Sequence, residues 1–205
     1  MFCKKTGGPG PGPGAVVTLA AMRFTPLPLA GAFAIDLDPR PDARGAFART
    51  FCQDTFAAQG LATDFVQANQ SWNLRQGTLR GMHYQHPPHA EAKYIRCIAG
   101  AVFDVIIDIR QGSATFLQHV GLELSAVNMR GLYVPPGFAH GFITLQDDTQ
   151  LAYMHSARYA PGAEGGLRYD DPRLAIAWPL PPAVMSEKDE VYPLLEAGFT
   201  GITLG

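Results

Sequence analysis

From residue 23 onward the chain is a succession of short apolar runs, each cut off by Gly, Pro, Asp or Asn. The runs fall at 32–37, 64–72, 78–85, 93–98, 101–109, 115–124, 131–134, 138–145 and 149–158. Runs of this length suit strands, and their even spacing predicts an all-β sandwich or barrel. Other stretches depart from the pattern. DPRPDARG (38–45) reads as a turn-rich loop, AFARTFCQDTFAAQGL (46–61) includes a short helix, and SEKDEVYPLLEAGF (186–199) reads as a short C-terminal helix. Ser186 would cap that helix, with acids in its first turn. In 101–109 alternation places Phe103, Val105, Ile107 and Ile109 on one buried face, and Val102, Asp104, Ile106 and Asp108 on the other. Two acids make that second face a partly solvated barrel interior or, as acids more often require, the outer surface.

Composition narrows the function classes. With 205 residues, 47% hydrophobic and 17% charged, the chain has enough apolar material for one domain with a real core and is not disordered. A net charge of −2 without a basic block argues against nonspecific nucleic-acid binding. Cys3, Cys52 and Cys97 lack the spacing of a disulfide framework or a cysteine-rich zinc site. No apolar run approaches membrane-spanning length, so a soluble, cytoplasmic protein is expected. Residues 1–21, with GGPGPGPG followed by AVVTLAAM, read as a disordered extension or as a start assigned ahead of Met22, leaving 22–205 as one domain.

The stretch richest in chemistry is TLRGMHYQ (78–85). Arg80 is a permanent cation, and histidine exchanges protons near neutral pH without help from its surroundings, which makes His83 a candidate base. Strict alternation would turn the two to opposite faces, whereas a bulge at Gly81 would let both reach one cavity. An anion-holding arginine beside a base suits an acidic or phosphorylated substrate. Six histidines invite a metal reading, but His83 and His86 have two residues between them and point to opposite faces of an ideal strand, and Glu91 follows only after a PPH break. Metal-free use of the same cavity is therefore favoured. Tyr153, His155 and Tyr159 share parity in 149–159 and could all face the cavity. The ordinary fate of a buried tyrosine is structural, and that of a strand lysine such as Lys93 is a snorkelling surface position. The sharper reading of Lys93 is a cation aimed at a developing enolate.

Several segments together carry a family resemblance: LRGMHYQ, NMRGLYVPPGFAHGF, LAYMHSARYAPGAEGGLRYDDP and SEKD, in this order across residues 23–195. The chain resembles the dTDP-4-dehydrorhamnose 3,5-epimerases. The resemblance implies a cupin-like jelly-roll barrel that has lost its metal, a homodimer, and inversion of carbons 3 and 5 of a dTDP-4-dehydro-6-deoxy-hexose in dTDP-L-rhamnose formation. It implies that His83 is the general base, Asp189 its orienting partner, Tyr153 the general acid and Lys93 the cation near the carbon 4 oxygen. It implies that His140 lines the same pocket and that Arg44, Arg80 and Lys188 hold the diphosphate. Gln67 and Asn69 lie beside the nucleotide, Tyr159 stacks on its base, and Glu164 contacts it on the same terms. Asp104 is a second possible partner for His83. No redox cofactor is implied, and no GxGxxG phosphate loop follows a strand. The chain departs from the family's habits at Arg49, where a glutamate is common, at Met154, where lysine is frequent, and at Arg158, the first of a frequent tyrosine pair. Those positions concern substrate contacts rather than the base, the acid and the lysine. The competing readings are a carbon 3 mono-epimerase on another nucleotide sugar, a metal-dependent cupin, and a nucleotide-sugar binder without turnover.

Overall fold

The structure, a computed structural model, describes residues 22–204; the extension expected at 1–21 lies outside the described residues. The core strands are β5 (Gln67–Asn73), β6 (Leu79–Gln85), β7 (Lys93–Ala99), β8 (Ala101–Asp108), β9 (His119–Ser125), β10 (Arg130–Val134), β11 (Phe138–Thr144) and β12 (Thr149–His155). They are preceded by β1 (Arg23–Pro26), β2 (Phe33–Asp36), β3 (Arg40–Asp42), β4 (Gly45–Phe47) and helix α1 (Gln53–Ala57). They are followed by β13 (Glu164–Gly166) and helix α2 (Glu187–Glu190).

Successive core strands alternate between two sheets, except that β8 and β9 are paired neighbours in one of them. One sheet has the order β1-β2-β10-β7-β12-β5 and the other β13-β6-β11-β8-β9. The eight strands β5 to β12 thus make two four-stranded antiparallel layers, the arrangement of a cupin-like jelly roll. Between the layers Ile95, Cys97, Val102, Ile106, Leu124, Leu132, Phe138, Phe142 and Leu151 form the inner core. Each outer face is also covered over part of its extent. Phe56 of α1 packs on Tyr94 and Tyr133 outside the first sheet, and the C-terminal segment lays Leu167, Leu174 and Ile202 against Val105 and Ile107 of β8 and Ile109 just beyond it. Each large side chain fully buried in these layers contributes about 1.5–3 kcal/mol.

This double cover corrects the reading of β8. Asp104 and Asp108 are not on an outer surface: both are fully buried, on the face that carries Val102 and Ile106 into the barrel. Asp108 accepts bonds from Arg110 Nε at 2.9 Å, Ser113 Oγ at 2.5 Å and Thr115 Oγ1 at 2.6 Å. Burial works against its charge, but these donors outweigh it and hold the carboxyl at about 2. Residues 113–118 are tied up in this turn, which is why β9 begins at His119 rather than at 115. The expected loop 38–45 is largely a hairpin, with Arg40–Asp42 paired to Gly45–Phe47. The C-terminal helix is a single turn, since Pro193 lies just beyond it and disfavours helical backbone at the residue before it. Ser186 does cap it, its side chain accepting from Asp189 N–H at 3.2 Å. The last core strand ends at His155, where the chain crosses to the other sheet.

Candidate active site

Glycine fixes the geometry of β6. His83 faces His140 and Arg80 faces Phe142 in the pairing of β6 with β11, so two residues of β6, Gly81 and Met82, stand against Gly141 alone. Gly81 has φ +132°, and a Cβ there would lie 2.5 Å from Gly141 Cα and 2.9 Å from the His140 carbonyl oxygen. The backbones approach too closely for any side chain at either position. The bulge removes strict alternation, and Arg80 and His83 line one cavity.

That cavity, of about 260 Å³, lies between the two sheets. His83 and Arg80 reach it from β6 and His140 from β11; Lys93, Asn69, Tyr153 and His155 reach it from the opposite sheet. A second hollow of about 320 Å³ shares Arg80 and His83 and continues to Lys188 and Asp189.

His83 Nε2 lies 2.7 Å from Asp189 Oδ1, and the other carboxylate oxygen accepts from Gly81 N–H at 3.2 Å. Burial opposes the charge on Asp189, but the bonds from His83, Gly81 and Ser186 prevail and its carboxyl stays below the ordinary range. An ionised carboxylate only accepts, so Nε2 carries the proton and Nδ1 keeps the lone pair. His140 makes a separate pair, its Nε2 2.9 Å from Asp104 Oδ1. Asp104 therefore belongs to His140 and leaves Asp189 as the partner of His83. Burial dominates at Asp104 and pushes its carboxyl up, despite His140 and Lys93 nearby.

On the facing wall the Tyr153 hydroxyl is 3.0 Å from Ser71 Oγ. Burial raises its pKa above the ordinary phenol value, so the group is a neutral donor. Lys93 is a buried strand residue rather than a snorkelling one, and its ammonium sits 3.3 Å from Glu91 Oε1. The other oxygen of Glu91 accepts from His155 Nδ1 at 3.0 Å. Sequence reasoning turned His155 toward the cavity without a partner and weighed Glu91 only as a metal ligand. Their positions in β12 and just ahead of β7 become informative only once the two strands are known to pair, His155 opposite Lys93.

The remaining candidates divide. Asn69 lines the cavity, and Gln67 bonds to it at 3.2 Å. Lys188 pairs with Glu164 at the mouth of the second hollow. Tyr159 does not share the wall with Tyr153: it lies past the end of β12, 54% exposed, with its N–H bonded to Gln67 Oε1 at 3.0 Å. Arg44 is exposed in the β3–β4 hairpin, paired with Asp42, and lines neither hollow. His86 and His89 are exposed. Among the described residues no group of three His, Cys, Asp or Glu side chains is placed to hold a metal ion.

A jelly roll whose cavity sets a carboxylate-held imidazole against a neutral phenol, with an ammonium on the phenol's side, defines an acid–base isomerase. The profile of the dTDP-4-dehydrorhamnose 3,5-epimerase family matches residues 26–197, and the chain belongs to this family. It is 43% identical over 155 residues to a dTDP-4-dehydrorhamnose 3,5-epimerase of Sinorhizobium fredii, covering 75% of this chain and 80% of that protein. It is 39% identical over 175 residues to a dTDP-4-dehydrorhamnose 3-epimerase of Streptomyces niveus, covering 85% of this chain and 84% of that one. The crystal structure of the Bacillus anthracis 3,5-epimerase with TDP and PPi bound superposes with a TM-score of 0.83 at 38% identity, over 85% of this chain and all of that chain.

Proposed function

We propose that this chain epimerises a dTDP-4-dehydro-6-deoxy-hexose at carbons 3 and 5, as the curated relatives' names indicate for them. The observation that carries the reading is the placement of His83 and Tyr153 on opposite sheets around one cavity, with Lys93 beside the tyrosine. A proton on carbon beside a ketone leaves only if the enolate oxygen meets a cation or donor, which is the role proposed for Lys93. His83 Nδ1 takes that proton from one face, and the electron pair moves into the enolate. The Tyr153 hydroxyl returns a proton to the same carbon from the other face, inverting it. His83 is then protonated and Tyr153 ionised, and exchange with water resets both. Arg80 and Lys188, along the second hollow, are proposed to hold the diphosphate, with Gln67, Asn69 and Glu164 beside the nucleotide.

We further propose a cytoplasmic homodimer that works in dTDP-L-rhamnose formation. The outer face of the first sheet is covered by α1 on one half only; on the other half Trp72 is 61% and Ile98 40% exposed. A second copy on that half would bury them, and the exposed hairpin would deliver Arg44 to the neighbouring copy's nucleotide. Light scattering showing only monomer at micromolar concentration would refute the dimer.

The test of the reaction is deuterium uptake from heavy water by dTDP-4-dehydro-6-deoxy-glucose, followed by proton NMR. Label at both carbons is expected. Label at carbon 3 alone would make the chain a mono-epimerase, as the Streptomyces niveus relative's name states of that protein. No label on this substrate would overturn the reading.

A further inference from the structure

Lys93 has the most demanding task in the cavity and the least rigid side chain to do it with. An ammonium on a four-carbon stem is placed only as well as its partners place it. The carboxylate paired with it is Glu91, from the short segment between the PPH turn and β7. Glu91 is itself held firmly: its side chain is 8% exposed and its second oxygen takes the Nδ1–H of His155 at 3.0 Å. His155 is fixed in turn, its ring stacked on Tyr153 at 6.1 Å between centroids and its Nε2 3.4 Å from Asn69 Nδ2. Burial opposes the charge on Glu91, but His155 and Lys93 together keep its carboxyl below the ordinary range. One buried anion therefore spans the cation and the imidazole that leans on the acid.

We infer that Glu91 is the positioning residue of the cavity, holding Lys93 with one oxygen and His155 with the other, so that the cation is aimed before substrate arrives. Glu91 is not among the residues lining the cavity, whereas Lys93 and His155 are, so it acts through them. The inference rests on the proposed enolate chemistry for its kinetic consequence, but not for its geometry. A misplacement of about 1 Å at a reacting centre costs about 10²-fold in rate.

The test is a double-mutant cycle of Glu91→Gln and Lys93→Met, with Glu91→Asp as the conservative variant. Glu91→Gln is expected to lower kcat about 10- to 100-fold with KM changed less than about threefold. Added to Lys93→Met it should cost much less than in the wild type, because the cation it aims is already gone and only its hold on His155 remains to be lost. Glu91→Asp should recover part of the loss. Full additivity in the cycle, or a KM effect without a kcat effect, would overturn the inference. A crystal structure of Glu91→Gln separates this from the choice of substrate. The Lys93 ammonium should leave its place by about 1 Å or more. An unmoved ammonium would overturn the positioning role even if the sugar proposed above were wrong, and failure of wild-type turnover with a displaced ammonium would count against the substrate alone.

Discussion

Two imidazole–carboxylate pairs face each other across one position of the β6–β11 ladder, and they are built differently. His83 takes Asp189 from the C-terminal turn, and His140 takes Asp104 from the neighbouring strand β8. The side chain of His83 is 32% exposed and that of His140 only 7%. Asp189 has a backbone N–H and the Ser186 side chain as well as its histidine, and it stays ionised readily. Asp104 lies in the inner core with His140 as its hydrogen-bond partner, and burial makes it reluctant to ionise. The same two functional groups thus give a charged, well-supplied pair able to drive proton removal and a core pair suited to shaping the wall. Donor supply, rather than the imidazole–carboxylate contact itself, separates them.

The sharpest break is His83→Ala. It should lower label uptake at both carbons by about 10³-fold or more while TDP binding, read by calorimetry, persists. Asp189→Asn should follow at about 10²-fold in kcat, since the base loses its fixed tautomer and its charge support. Tyr153→Phe should cost a similar factor, yet leave deuterium uptake faster than inversion, because removal of the proton survives and delivery to the other face does not. Asp104→Asn should change kcat by less than about tenfold, as its partner is not proposed to carry a proton.

Stability against pH offers the finest distinction, and the two acids should act with opposite sign. Asp189 has a folded value below its ordinary 3.8, so its contribution is complete above 3.8 and is lost as pH falls through the lower folded value. Asp104 has a folded value above 3.8, so the native state binds more protons than the unfolded chain from 3.8 upward, and stability falls as pH rises through that window. Urea midpoints across the acidic range should therefore lose part of their acid-side decline in Asp189→Asn and part of their neutral-side decline in Asp104→Asn. Equal slopes in both variants would erase the contrast.

What could be read from the sequence follows from the range of the interactions. Strand positions depend on local alternation and turn residues, so β5 to β12 were legible to within a few residues at each end. The jelly-roll order and the matching of acid, base and cation came through resemblance to a family, since pairing between strands far apart in sequence leaves no local trace. The errors share one cause. For Asp104 and Asp108 the outer surface is favoured over a partly solvated interior because acids usually face outward, yet each has donors supplied by distant or looping segments. The parity by which Tyr159 could face the cavity extends the period past the end of β12, where Gln85 of the other sheet takes the Ala160 N–H and the chain crosses over. Glu91 and His155 were invisible as a pair because only the β7–β12 register joins them.

The carboxylate that arms His83 lies 106 positions further along the chain, on the single turn at Glu187–Glu190. A ribosome that has delivered residues through His155 has already supplied all eight barrel strands, the acid and the lysine. It has not yet supplied Asp189. The growing polypeptide thus passes through a stage at which its base still lacks this carboxylate partner, and that support arrives only once residues through Asp189 have been made.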